Sequence, residues 1–371
     1  MDLLNATKMQ AGYTMGMQPD GREFLVVAVK GTFTLPKNGE EARLSDEQVP
    51  LVEADVSTGE PGYSATSYES DYALRKPRCD VLLNGSAYAP GGKPATKVPV
   101  SLKVGPVAKA FNVVGNRFWE KNLTGVNATP PKPFTVMPIS YDNAFGGSDN
   151  THENESKHKA HMMNPIGVGF HANLNEEFIN GKPLPNTEEL KHPVTEPIGK
   201  YKPMSLGPVG RGWEPRYKFA GTYDQNWIDN VFPFLPSDFK DAYYQAAPLD
   251  QQIDYLRGGE EVVLQNLTPE GYTRFQIPQV QVPVAFFFKK RETQKTNGVA
   301  DTLVLEPNKG RFTITWRASI PLKKNMFEVV QVLTGEMPRG WWRARELGKT
   351  YYRSLDELIK EKRREAEEEM E

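Results

Sequence analysis

GREFLVVAVKGTFTLP, residues Gly21 to Pro36, reads as a β-strand and sets the class of the fold. Phe24 to Val29 is continuously apolar. A run this short and rich in valine fits a central strand buried on both faces. Beyond it Lys30 and Thr32 alternate with Gly31 and Phe33, so one face is expected to become half-exposed toward Leu35. The run is entered from Pro19-Asp20-Gly21, where proline presets φ and glycine accepts a positive φ.

Strand patterns continue outward from this segment. Asp80 to Tyr88 is a second strand, closed by Pro90-Gly91-Gly92. Val98, Val100, Leu102 and Val104 alternate strictly, and Gly105-Pro106 turns the chain toward Ala110–Val114 and Phe118-Trp119. The last third repeats the style. Glu261–Leu267 and Tyr272–Ile277 flank Thr268-Pro269-Glu270-Gly271, a hairpin signature. Val280, Val282, Val284, Phe286 and Phe288 alternate. Leu303–Leu305 and Phe312, Ile314 and Trp316 flank Pro307-Asn308-Lys309-Gly310, a second hairpin. There Arg311, Thr313, Thr315 and Arg317 point the other way, and that face is expected to meet solvent. Val329–Leu333 adds a further strand.

The middle differs. Eleven of the 39 aromatic residues lie between Trp213 and Tyr255, most of them in RYKFAGTYDQNWIDNVFPFLPSDFKDAYYQAAPLDQQ, Arg216 to Gln252. This stretch has no clean helix or strand period. An irregular segment loses much conformational entropy on ordering, so large side chains are expected to anchor it. Its rings are expected mostly to brace the β halves. Short helical turns are expected at Thr187–Leu190 and at Ser237–Ala246, the latter capped by Ser237 or Asp238. At the C-terminus, Ser354 and Glu357 form a capping box. Leu355, Leu358 and Ile359 follow as a short apolar stripe, and Asp356–Lys360, Arg363–Glu367 and Arg364–Glu368 stand at ion-pair spacing.

The expected architecture is therefore mainly β. Residues 1–123 and 260–345 form two β-rich halves of sandwich- or barrel-like antiparallel sheets. Residues 124–259 are a long irregular aromatic and proline-rich middle, and residues 346–371 carry a charged C-terminal helix. No fixed-period repeat relates the two halves.

Composition narrows the function. The 371 residues exceed what one hydrophobic core usually serves. A formal net charge of −2 offers no footprint for nucleic acid. Cys79 is the single cysteine, which excludes an internal disulfide and cysteine-based zinc sites, and it is expected as a small buried residue. The opening MDLLNATKMQAG lacks the pattern of a signal peptide, and no run of about 18 apolar residues is present. No membrane contact is expected, and a reducing, cytoplasmic compartment is.

Catalytic patterns are sparse. His152, His158, His161 and His171 cluster in a polar stretch, but their spacing matches no metal signature, and an exposed loop is expected. No HExxH, nucleophile elbow or phosphate loop occurs, and Gly167 and Gly169 form only a lone G-x-G. No cofactor, metal ligand or catalytic residue is assigned. The one enzyme-like feature is Asp224, Asp229, Asp238, Asp241 and Asp250 among rings, since carbohydrate-active proteins set carboxylates beside aromatic platforms. A carbohydrate-binding or glycan-hydrolysing protein is therefore the alternative, with Asp224 and Asp229 beside Tyr223 and Trp227 as its support. Turn and helix caps are the competing role for these aspartates.

Several segments, in order, resemble a bacterial type VI secretion accessory family long known only as a domain of unknown function. They are Gly21–Pro36, KPRCDVLLNGSAYAPGGKP (Lys76–Pro94), SLKVGPVAKAFNVVGNRFW (Ser101–Trp119), PFTVMPISYDNAFGG (Pro133–Gly147), NPIGVGF (Asn164–Phe170), Arg216–Gln252 and YLRGGEEVVLQNLTPEG (Tyr255–Gly271). The likeness spans about Asn5 to Phe288. Members of that family are encoded beside VgrG-type spike proteins, PAAR-type tip proteins and toxic effectors. The resemblance implies an adaptor or chaperone without catalytic residues. Its partners would be an effector toxin, a PAAR-type tip protein, or the VgrG-type spike. It also implies that partner choice lies in the last third and the C-terminal helix.

Overall fold

The computed structural model describes residues 1–368 apart from Asn38, Thr124 and Pro215, and apart from the side chains of Glu365, Ala366 and Glu368. The chain is mainly β, with the strands gathered into three larger sheets.

Strands β1 (Asp2–Asn5), β2 (Gln10–Met17) and β3 (Glu23–Thr34) open the chain, followed by β4 (Cys79–Leu83), β5 (Lys97–Val104) and β6 (Val107–Val114). After the irregular middle come β7 (Glu261–Gln265), β8 (Tyr272–Gln276), β9 (Pro283–Phe288) and β10 (Gln294–Asn297). The last strands are β11 (Val299–Glu306), β12 (Arg311–Pro321) and β13 (Val329–Thr334).

The first sheet has six strands in the order Gln252–Ile253, β4, β11, β12, β3, β2. The second has five, in the order Thr187–Glu188, β6, β5, β7, β8. The third has four, in the order β1, β13, β9, β10. The two β-rich stretches of sequence thus interleave. β3 from the first third pairs along its length with β12 from the last, and β5 pairs with β7. Both hairpins expected from their turn residues form: β7 with β8, and β11 with β12. In the second, Gly310 takes the left-handed conformation (φ 61°) that the turn requires.

The first two sheets face each other across one core. Leu25, Val27, Val29 and Phe33 of β3 alternate into it, as do Val98, Val100, Leu102 and Val104 of β5. Phe312 of β12 stacks on Phe33 at 5.2 Å and meets Phe275 of β8 at 5.3 Å, tying the sheets together. The third sheet buries Val284, Phe286 and Val332 in the same core. Its other face is covered by α3 (Arg339–Glu346), whose Trp341 and Trp342 rings lie 6.1 and 5.8 Å from Phe287.

Several expectations need correction. The face of β3 and β12 carrying Lys30, Thr32, Thr313, Thr315 and Arg317 does not meet solvent; all five are buried. Residues 44–76 form a strap across it. Beyond the start of β2, where β3 has lost that neighbour, the side-chain amide of Gln48 stands in for a strand: Thr32 N donates to Gln48 Oε1 (2.8 Å) and Gln48 Nε2 donates to Thr32 O (3.1 Å). Thr187–Glu188 is a strand on β6, not a helical turn. Ser237–Ala246 holds only a short 3₁₀ turn, Asp241–Tyr244. Besides a single-turn α1 (Glu176–Ile179), the regular helix of the middle is α2, Gln225–Asn230. Asp224 caps it by accepting from Trp227 N at 2.9 Å.

The C-terminal helix is α4, Leu355–Glu368. The first half of its capping box forms, Glu357 N donating to Ser354 Oγ (3.2 Å), while the Glu357 carboxylate accepts from Arg353 N (2.6 Å), one residue ahead of the cap. Neither Asp356–Lys360 nor Arg363–Glu367 forms an ion pair, whereas Arg364 meets Glu361 at 2.6 Å. The pair expected between Arg364 and Glu368 lies outside the described residues.

Candidate functional site

Beneath the strap lies a layer of buried charge. A charge taken from water needs a close partner of opposite sign. Lys30 Nζ donates to Asp71 Oδ2 at 2.7 Å, and Asp71 also accepts from Val52 N and Thr315 Oγ1. Arg317 pairs with Asp301, and burial pushes the Asp301 carboxyl above its ordinary range even against that guanidinium. Lys76 Nζ donates to Asp80 Oδ2 at 2.7 Å. A cavity of about 410 Å³ remains between strap and sheet, with Lys30, Glu69, Asp71, Lys76, Glu306 and Arg317 among its walls. Cations and carboxylates alternate there and bond to each other. The arrangement fastens the strap to the sheet.

The aromatic stretch joins this layer through its polar residues. Arg216 is buried; it donates to Val209 O (2.7 Å) and Tyr243 O (2.8 Å) and pairs with Glu69 at 2.6 Å. Gln245 Nε2 donates to Asp80 Oδ1 at 2.6 Å, and Ala246 N and Ala247 N complete the bonds to that carboxylate. Gln251 Nε2 donates to Val81 O (2.8 Å) and Leu206 O (3.0 Å), and Gln251 Oε1 accepts from buried Lys109 (2.8 Å). The stretch is anchored by Arg216, Gln245 and Gln251. None of the rings between Tyr217 and Tyr244 lies in the buried core that the sheets share.

Between those anchors, residues 217–239 project from the body. Thr222 N and Oγ1 both donate to Asp238, at 3.0 and 2.8 Å, closing the base. Lys240 N donates to Phe219 O at 3.0 Å. Trp227 Nε1 donates across the projection to Phe234 O at 2.9 Å. Trp227 meets Tyr223 edge-on at 4.8 Å and Phe232 at 5.6 Å. Phe234 lies over the turn at Gly21, where a Cβ would come within 2.9 Å of its ring. The projection is thus held by its own polar bonds while Tyr223 (52% exposed), Ile228 (55%) and Phe232 (66%) face solvent. Exposed apolar groups held on one projection are a candidate contact surface.

The five aspartates among the rings have structural roles. Asp224 caps α2, Asp229 accepts from Gln225 Nε2 (2.9 Å), and Asp238 closes the base. The backbone and hydroxyl donors of Thr222 hold Asp238 below the usual carboxylate range. Asp241 pairs with Arg75 (3.2 Å) and Asp250 with Lys109 (3.2 Å). Asp224 and Asp229 are not among the residues lining the cavity beneath the strap.

The histidines separate as well. His152 Nδ1 accepts from Asn154 N (3.0 Å), and the His158 ring donates to His152 O (2.8 Å). His161 packs edge-on against Phe145 at 5.2 Å. Burial lowers His161 and His171 from the usual imidazole value. Among the described residues no three His, Cys, Asp or Glu side chains could share a metal ion. Cys79 is buried in the core, and burial raises its thiol well above the ordinary value.

Sequence reasoning missed Asp71, Lys76, Asp80, Arg216, Gln245 and Gln251. A signal was present for some buried charges: Asp80 in CDVLL, Lys30 in VAVKGTF and Asp301 in VADTLVL are charges set inside strand patterns.

Fold and site together give a β-rich sandwich with a strapped polar face and a ring-bearing projection. The profile of a family described as uncharacterised proteins conserved in bacteria, DUF2169, matches residues 20–317, and the chain belongs to that family. No curated protein and no solved structure matches. Among the described residues no helix is long and apolar enough to cross a membrane.

Proposed function

We propose that this chain is a cytoplasmic adaptor or chaperone of a type VI secretion system. It binds an effector toxin or its PAAR-type tip protein, keeps it soluble, and helps seat it on the VgrG-type spike. The observation that carries this reading is the projection of residues 217–239, stiffened by its own hydrogen bonds and presenting Tyr223, Ile228 and Phe232 outward. A surface kept apolar and ordered without burial suits binding more than chemistry. The ordered segment resemblance points to the secretion setting. Whatever state such a protein binds is stabilised by mass action.

Deleting the gene in a strain that secretes by this route tests the reading. Effector abundance and delivery are expected to fall, and the tagged chain is expected to co-purify with the effector or tip protein. Unchanged effector solubility and delivery would overturn it.

A further inference from the structure

We propose that the ring cluster of residues 217–239, with the groove at its base, docks an apolar partner segment flanked by basic side chains. This rests on the adaptor reading for its biological partner, but its chemistry follows from the surface itself.

The apolar half of the match is on the projection and beside it. Tyr223, Trp227 and Phe232 form one edge-to-face series, and Ile228 lies on the same short helix as Trp227. Next to them a groove of about 260 Å³ separates the projection from the end of β2 and the start of β3, with Met17, Phe24, Leu74, Leu235, Phe239 and Tyr244 as its apolar wall and Gln18, Arg75 and Asp241 as its polar one. Its ion pair, Arg75 with Asp241, is already closed. An extended or helical segment with a few large apolar side chains fits this pair of features.

The charge half comes from the carboxylates around the rings. Asp224, Asp229 and Asp238 are exposed and, among the described residues, take part in no ion pair. Each accepts hydrogen bonds from neutral donors, which hold the side chain in place; the Lys240 charge acts on Asp238 through space, and Asp224 and Asp229 are the charges left unmatched. From Lys218 to Tyr244 the chain has four aspartates and two lysines. Lys218 lies over the Phe219 ring at 5.4 Å. A partner with lysine or arginine beside its apolar residues gains from this field, and an acidic one is repelled.

The probes are labelled synthetic peptides of about 20 residues, long enough for a few helical turns: leucine–lysine amphipathic, leucine–glutamate, and serine–lysine. Binding to the full chain is read by fluorescence anisotropy. The leucine–lysine peptide is expected to bind at least about tenfold tighter than the other two and to weaken as salt rises to about 0.5 M. The double variant Ile228→Ser/Phe232→Ser, at exposed positions, is expected to lose about tenfold in affinity with its unfolding midpoint unchanged. Asp229→Asn is expected to weaken the leucine–lysine peptide and flatten its salt dependence. Equal binding of the glutamate peptide, or unchanged binding by the double variant, would overturn the proposal. So would displacement by a soluble chitooligosaccharide, or a dimer that the double variant dissolves, because a sugar or a second copy would then own the surface. In the deletion strain, full rescue of delivery by the double variant sinks this docking surface and leaves the adaptor role standing. No effect of the deletion itself sinks the adaptor role, and the peptide titration then decides the surface alone.

Discussion

Lys30 Nζ lies 2.7 Å from Asp71 Oδ2, with both side chains less than a tenth exposed, and this pair ties a central strand to the strap over its outer face. The same carboxylate accepts from Val52 N and Thr315 Oγ1, so one residue organises strap, β3 and β12 together. Removing one partner of such a pair leaves an uncompensated buried charge. Asp71→Ala is expected to cost about 3–5 kcal/mol in urea unfolding, and Lys30→Met/Asp71→Leu to recover most of it. A loss below about 1 kcal/mol would mean that the strap is held elsewhere.

Arg216 and Phe232 belong to the same stretch but have opposite burial. Arg216→Ala removes one of the two arginines on Glu69, Arg211 at 3.1 Å remaining, together with the bonds to Val209 O and Tyr243 O, and a loss of about 2 kcal/mol or more is expected. Phe232→Ser is expected to change stability by no more than about 0.5 kcal/mol. Parallel denaturant titrations of the two variants check the contrast. A Phe232 variant as damaging as the Arg216 variant would return the rings to a bracing role.

Glu306 sets a pH dependence. Burial on its own raises its carboxyl, but hydrogen bonds from Arg311, Tyr68 and Lys309 outweigh that and hold it below the usual range. A depressed folded-state value adds stability that is present above the unfolded value and lost as pH falls through the folded one. Glu306→Gln is therefore expected to cost about 2 kcal/mol at neutral pH. The gap from the native protein should begin to narrow as pH falls below the ordinary glutamate value of about 4.3 and go on narrowing through the lower folded-state value. Melting curves taken between about pH 3 and about pH 7 read the convergence; a constant gap would contradict it.

The two C-terminal helices should respond differently. Trp342 of α3 packs against Phe287 and carries the Lys295 ammonium over its ring at 3.9 Å. Trp342→Ala is expected to cost about 2 kcal/mol, less than full core burial would because the ring is half-exposed. Ending the chain before Ser354 removes α4, whose Leu355 is 70% exposed, and the melting midpoint should stay within about 2 °C. A large drop on truncation would assign α4 a packing role.

Cys79 offers a clean test of the core. Its thiol is wholly buried in the first sheet and held well above its ordinary value by that burial. A thiol reagent at neutral pH should label the native chain only at the rate of unfolding, and at once in strong denaturant. Rapid native labelling would show that β4 opens.

Much of the fold is legible in the amino-acid sequence. The hairpin at Pro307–Gly310 forms because its turn residues admit one geometry, and the alternation in β5 assigns its inward face. The outer face of β3 and β12 is not legible in the same way. Lysine, arginine and threonine alternating with apolar residues look the same whether water or a strap covers them. The partner carboxylate Asp71 is 41 residues from Lys30 in sequence. The helical turn expected within Ser237–Ala246 forms as the 3₁₀ turn Asp241–Tyr244, but its expected cap does not, because Asp238 bonds back to Thr222 and does not cap forward.

By itself, then, the sequence determined the β class, most strand positions, the turns and the capped terminal helix, because these depend on neighbours within a few residues. Tertiary structure alone decided how the first and last thirds interleave in shared sheets and which charges are buried. It also decided that Arg216, Gln245 and Gln251 anchor the aromatic stretch while Tyr223, Ile228 and Phe232 stand outside. The physical reason is that burial belongs to the three-dimensional neighbourhood: a ring or a charge carries its chemistry in the sequence, but only packing decides whether water or another side chain meets it.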